Sequence, residues 1–133
     1  MKPATLVLLV FASTFACAAH ADAVSDLLAQ YQKQGASSFN AATAQALWTK
    51  PFIDPKTSEA RRCATCHSED LRRVGKHATT GKAIEPLAPS ANPQRLADAE
   101  KIEKWLLRNC KWVMNRECTP QEKGDFLVMI KSK

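Results

Sequence analysis

The sequence predicts an all-α domain. Glycine is scarce, at four in 133 residues, and no run of alternating β-branched residues occurs, while Ala, Lys, Glu and Leu are plentiful. The most regular stretch, residues 97–109, sets Ile102, Trp105, Leu106 and Asn109 at i, i+3, i+4 and i+7, a single helical stripe. One small domain is all that residues 22–133 can build.

Residues 1–21 read as a secretory signal peptide. Lys2 supplies the positive start, Leu6 to Phe11 the apolar run, and Ala19-His20-Ala21 a small-x-small cleavage site. The expectation is a mature chain from Asp22 in the periplasm, with no stable membrane anchor because the apolar run is too short to span a bilayer. Cys17 is preceded by Thr14-Phe15-Ala16, a poor lipobox.

Val24, Leu27, Leu28 and Tyr31 recur at helical spacing and Gly35 stops them. Residues 39–48 form a second short helical stretch with Phe39, Ala42, Ala46 and Leu47 inside, ended before Pro51. Residues 49–57 turn to Pro, Lys and Asp, a surface loop. Residues 68–92 carry Gly75, Gly81, Pro86 and Pro89, with Pro93 following, and show little periodicity, so an irregular loop that wraps something is expected. In residues 97–109, Asp98, Glu100 and Glu103 sit early and Arg108 late, as the helix dipole favours. Thr119-Pro120-Gln121-Glu122 combines an N-cap, a first-turn proline and a capping-box Glu, opening a final helix through Phe126, Leu127 and Ile130.

Cys63-Ala64-Thr65-Cys66-His67 carries the chemistry. Two thiols one helical turn apart and an adjacent imidazole have the spacing by which a c-type haem is attached, the thiols adding to its vinyl groups and His67 ligating iron. A thioredoxin-like dithiol would need a βαβ context and has no use for the His. A structural zinc site would need a second ligand pair, and Cys110 and Cys118 lie far off without a histidine beside them. One covalently bound haem c is therefore expected, and residues 22–133 read as a monohaem domain. Its porphyrin adds apolar surface to a modest core. The loop after the motif would wrap it, and Arg72, Arg73, Lys76 and Lys82 are candidate propionate partners as well as ordinary solvated charges.

With Cys17 removed and Cys63 and Cys66 on haem, Cys110 and Cys118 remain as a pair in an oxidising compartment. A disulfide is the expectation, stabilising by roughly 2 to 3 kcal/mol for so short a loop; two free buried thiols are the alternative.

The second iron ligand is less plain. The Pro-rich loop offers Leu87 and no methionine, and residues 22–133 hold only Met114 and Met129. Met129 lies on the apolar side of the last helix and reads as core. Met114 lies between the last two cysteines. His77, ten residues past His67, could give two-histidine ligation or simply be solvated. Asn109, near the predicted end of its helix, reads as a C-terminal cap, with iron ligation as the alternative.

The chain resembles the SHP-type cytochromes c, small monohaem proteins with a class I-like cytochrome c fold. The residues that carry the resemblance are Cys63 to His67, Thr80-Gly81-Lys82, Pro86 to Pro93, Glu103-Lys104-Trp105-Leu106, Arg108-Asn109-Cys110, Cys118-Thr119-Pro120 and Glu122-Lys123. It implies His67 as proximal ligand, Asn109 as distal ligand of ferric iron, and a Cys110–Cys118 disulfide pinning the distal segment. Met114 is a departure, an extra sulfur near Asn109 and a candidate competitor for its place. The resemblance also implies oxygen binding and electron supply by a dihaem cytochrome c.

Two function classes follow. The first is a non-enzymatic redox carrier that releases Asn109 on reduction and binds a diatomic ligand such as O2, NO or CO. The second is a haem enzyme detoxifying NO or peroxide, for which Arg108 is a weak acid–base candidate; a plain methionine-ligated carrier is a third reading. The formal charge of +6, reduced by one when Lys2 leaves, favours a redox partner with an acidic surface. Nucleic-acid binding has no motif and the wrong compartment despite a pI near 9.2.

Overall fold

In a computed structural model, residues 22–133 are described; the expected signal segment, Cys17 included, lies outside them. Five helices carry the fold: α1 (Ala23–Lys33), α2 (Ala41–Thr49), α3 (Cys63–His67), α4 (Ala99–Met114) and α5 (Pro120–Lys131). Two antiparallel ribbons of two-residue strands interrupt them. β1 (Phe52–Ile53) pairs with β2 (Ala60–Arg61) before α3, Phe52 opposite Arg61, and β3 (Gly75–Lys76) pairs with β4 (Ala83–Ile84) after it, Gly75 opposite Ile84. The fold is all-α as expected, with the irregular segments pinned by these ribbons.

Local signals set the helix starts. Asp22, Asn40 and Asp98 accept backbone N–H groups at the beginnings of α1, α2 and α4, and Thr119 with Glu122 closes a full capping box on α5. The end of α4 differs from the sequence expectation: the helix runs to Met114, and Asn115, at φ 57°, is its left-handed cap. The capping role assigned to Asn109 belongs to Asn115. An asparagine is read as a cap only where a helix is known to end, and Val113 and Met114, with Trp112 packed beside them, prolong this one by burying a further turn against the core.

Helix α5 lies against both α1 and α2. One cluster of buried side chains joins Trp48, Leu71, Val113, Met114, Phe126, Met129 and the cysteine pair; the other joins Val24, Leu27, Tyr31, Ile102 and Leu127. Leu96 and Leu106 touch both. Cys110 and Cys118 are joined by a disulfide that ties the last turn of α4 to the start of α5. Tyr31, wholly buried, donates to Glu103, which also receives Lys123 Nζ at 2.7 Å, so α1, α4 and α5 meet at one polar knot.

The α1–α2 connection is stitched to α5. Gln121 accepts from Ser37 N–H (2.8 Å) and donates to Ser38 O (3.1 Å), while buried Asp125 accepts from Asn40 N–H (2.7 Å) and from Gln121 (2.9 Å). Gly124 lets Phe39 lie on the α5 backbone, since a Cβ there would fall 2.1 Å from the Phe39 ring. Replacing Asp125 by Ala leaves the Asn40 amide without its acceptor, at a cost of about 1 to 3 kcal/mol. A lowered thermal midpoint is the expected result for Asp125→Ala, with a smaller loss for Asp125→Asn, which keeps one acceptor oxygen; circular dichroism melting checks both.

Candidate haem site

Helix α3 is five residues long and cannot hold itself. It rests on α2 and β3. Trp48, at the end of α2, donates its indole N–H to Ser68 O at 2.8 Å and lies 5.7 Å from the His67 ring. Ser68 closes α3 at φ 67° and ψ 166°, a conformation that costs a non-glycine residue about 1 to 3 kcal/mol. On the other side β3 approaches so closely that a Cβ on Gly75 would sit 2.1 Å from the Cys66 carbonyl oxygen. Only glycine admits this contact.

The N-terminal side of α3 is braced by the β1–β2 ribbon. Asp54 accepts from Lys56 and Thr57 N–H, which with the nearby Arg61 charge hold its carboxyl below the usual range. Arg61 pairs with Asp54, donates to the Trp112 carbonyl at 2.9 Å and stacks over the Trp112 ring at 4.8 Å. The entrance to the motif is thereby tied to α4.

Both thiols are free, half-buried and on the same short helix as His67. Burial pushes the Cys63 thiol up to about 11, the reverse of a disulfide-exchange cysteine, whose reactivity needs a stabilised thiolate. Among the described residues no group of three or more His, Cys, Asp or Glu is gathered as a metal cluster. The His67 imidazole is pushed down to about 4, by burial first and by the Arg95 charge second, and so stands neutral. Its Nδ1 is buried without a hydrogen-bond partner. A neutral imidazole with an unpartnered ring nitrogen has the chemistry a metal-binding histidine needs.

Between α3 and α4 lies an open cavity of about 660 Å³, walled by Thr65, Arg61, Trp112 and the tip of the β3–β4 ribbon at Ala78 and Thr79. On α4, Trp105, Asn109 and Trp112 fall on one stripe, and Trp105 is 49% exposed, an unusual state for the largest apolar side chain. Asn109 is half-buried in the body of the helix, and among the described residues its carboxamide forms no hydrogen bond. Two thiols and a neutral imidazole on α3, with the exposed Trp105 ring and a cleft that Trp112 borders, fit a flat apolar group attached at two points, as a porphyrin is.

The competing ligands are accounted for otherwise. Met129 is core, and Met114, 7% exposed, lies with its sulfur 3.8 Å from that of Cys118. His77 Nδ1 accepts from the Thr79 and Thr80 amides, both at 3.2 Å, and shapes the ribbon's tip. Of the four candidate propionate partners, all exposed, Arg72 pairs with Asp70. Sequence reasoning missed Trp48, Gly75 and Arg95. Only Gly75 left a signal, as a glycine eight residues past the proximal His.

A family model described as a domain of unknown function (DUF1924) matches residues 34–130. The chain is 41% identical over 106 residues to the cytochrome c-type protein SHP of Cereibacter sphaeroides, covering 80% of this chain and 81% of that protein. It belongs to this family of c-type cytochromes. Cytochrome c'' of Methylophilus methylotrophus is 36% identical over 83 residues, 62% of this chain and 57% of that protein. A structure of oxidised SHP, described as an oxygen-binding cytochrome c, superposes with a TM-score of 0.73 at 39% identity, over 83% of this chain and 96% of that one. The crystal structure of oxidised cytochrome c'' gives 0.72 at 27% identity, over 84% and 94%. A solution structure of cytochrome c'', concerned with haem-ligand detachment, also gives 0.72 at 27% identity, over 83% and 93%. As a member of this family the chain is a haem c protein.

Gly75→Ala forces β3 away from the Cys66 carbonyl, an overpacking cost of about 1 to 3 kcal/mol beside the attachment helix. The expected outcome is a lower ratio of Soret to protein absorbance in the purified protein and an earlier melting transition.

Proposed function

We propose that this chain is a periplasmic cytochrome that accepts electrons and, when reduced, exposes a binding site for a diatomic gas. The Cys63 and Cys66 thiols form the two thioethers, and His67 gives its imidazole lone pair as the proximal ligand. When bound, the haem supplies a one-electron redox centre and one further coordination position. Asn109 occupies that position in the ferric state through its carbonyl oxygen. An amide oxygen is a hard, weak-field donor that suits ferric iron and binds ferrous iron poorly, so the carboxamide detaches on reduction. Its freed NH2 then donates a hydrogen bond to an incoming O2, NO or CO molecule.

One observation carries the assignment of Asn109: the residue lies inside α4, on the same stripe as Trp105 and Trp112, while Asn115 does the capping. The oxygen binding described for SHP and the ligand detachment addressed in cytochrome c'' support the same reading. Burial of Met114 and Met129 in the core speaks against methionine ligation. Arg108, stacked on Trp105 at 5.1 Å, stands on the exposed side of α4 and makes a poor distal acid.

Exposed Arg62, Arg72, Arg73, Lys76 and Lys82 flank α3 and the β3–β4 ribbon, a cationic surface suited to an acidic electron donor such as a dihaem cytochrome c. Among the described residues no helix is long and apolar enough to cross a membrane.

Absorption and EPR spectra of the wild type and Asn109→Ala test the ligand. The wild type should show a largely high-spin ferric signal that changes in the variant, and both ferrous forms should bind NO. Identical ferric spectra would remove Asn109 from the coordination sphere. For the attachment, acid–acetone extraction should leave haem on the wild-type polypeptide and release it from the Cys63→Ala/Cys66→Ala double variant. Haem retained by the double variant would refute the thioethers.

A further inference from the structure

The β1–β2 ribbon holds the end of α4. Arg61 divides its guanidinium between two elements: Nη2 pairs with the Asp54 carboxylate, and Nη1 donates to the Trp112 carbonyl at 2.9 Å. The guanidinium carbon also stands over the Trp112 ring, 4.8 Å from its centroid. A second strut runs the other way, from Asn115 Nδ2 to the Ile53 carbonyl at 3.2 Å.

Both anchors of this clasp are set before Arg61 reaches them. Asp54 is buried in the ribbon's turn, where its carboxylate accepts from Lys56 and Thr57, its N–H donates to the Glu59 carbonyl at 2.9 Å and its own carbonyl accepts from Ser58 at 2.8 Å. Trp112 belongs to the last turn of α4, whose final four carbonyls find no partner inside the helix. A guanidinium suits such an end, because it satisfies a carbonyl and complements the negative pole of the helix while its fork serves a second acceptor.

Position gives the clasp its meaning. Arg61 precedes Cys63 by two residues, so the end of the ribbon is the beginning of the attachment helix. Trp112 follows Asn109 by one helical turn, on the same stripe. Arg61, Trp112 and Thr65 of α3 line the open cavity together, so one side chain ties its two walls. The disulfide at Cys110 fastens the same turn of α4 to α5 and carries nothing across the cleft.

We propose that Arg61 is a positioning residue for Asn109: clasped to Asp54 at one end and to Trp112 at the other, it fixes the gap between α3 and α4 and so keeps the carboxamide where it can hold ferric iron. A weak donor stays bound only while its effective concentration at the metal is high, and slack between the two walls lowers that concentration. This rests on Asn109 being the ligand proposed above.

Azide titration of the ferric, haem-loaded protein, followed by absorption, tests it on the wild type, Arg61→Gln, Arg61→Lys, Asn109→Ala and the Arg61→Gln/Asn109→Ala double variant. Azide must displace Asn109 to bind, so a slackened clasp raises its affinity. Arg61→Gln should bind azide several-fold more tightly than the wild type, and so should Arg61→Lys, whose single ammonium cannot serve both partners. In the Asn109→Ala background the Gln substitution should change nothing. Wild-type affinity in Arg61→Gln overturns the assignment, and so does a gain of equal size once Asn109 is absent, the mark of a cleft loosened in general. Arg61→Lys decides by itself if the Gln variant fails to retain haem, and wild-type affinity there is equally fatal. The Asn109→Ala spectrum separates the two readings. A ferric spectrum like the wild type defeats the ligand assignment, whereas a changed spectrum beside an unchanged azide affinity in Arg61→Gln defeats only the role of Arg61.

Discussion

The contact between the Gly75 backbone and the carbonyl of Cys66 is the constraint on which the site depends. A five-residue helix has one turn of hydrogen bonds and no apolar face wide enough to bury, so its orientation is imposed from outside. Gly75 presses on it from β3, Trp48 grips the chain where it leaves, and the Asp54–Arg61 pair ties down the chain where it enters. Strain at Ser68 is the cost of turning the backbone sharply after His67. A group attached through α3 inherits its orientation from these three supports.

The opposite wall is built from a different material. Helix α4 is long and amphipathic, with Ile102 in one core cluster and Val113 and Met114 in the other. Leu106 bridges the two, so the helix is held along its length while the stripe of Trp105, Asn109 and Trp112 is left toward the open side. The Cys110–Cys118 disulfide fastens the residue next to Asn109 to the start of α5, itself closed by a complete capping box. So rigid a support holds the Asn109 carboxamide in place, as the proposed ligand release would require.

Electrostatics divide along the same line. Exposed cations gather around α3 and the β3–β4 ribbon and are largely solvated, so any action they have at a distance comes from their summed field. Arg95 is half-buried and fixed on the Pro86 and Glu85 carbonyls. Sequence position hid this distinction, because both kinds of residue look alike in a basic chain.

The attachment pentapeptide, the Thr119 capping box, the helical class and the loop after the motif were all legible in the sequence, because each depends on residues within a turn or two of one another. The end of α4 was not: whether the helix continues past Asn109 is decided by Val113 and Met114 finding a core supplied by α2 and α5, and a cap is recognisable only once that end is known. The roles of Trp48, Gly75 and Arg95 likewise belong to the tertiary structure, since each acts on a segment distant in the chain through one close approach. Covalent chemistry at α3 is written locally in five letters; the environment that makes His67 a neutral, oriented imidazole is assembled from pieces that only folding brings together.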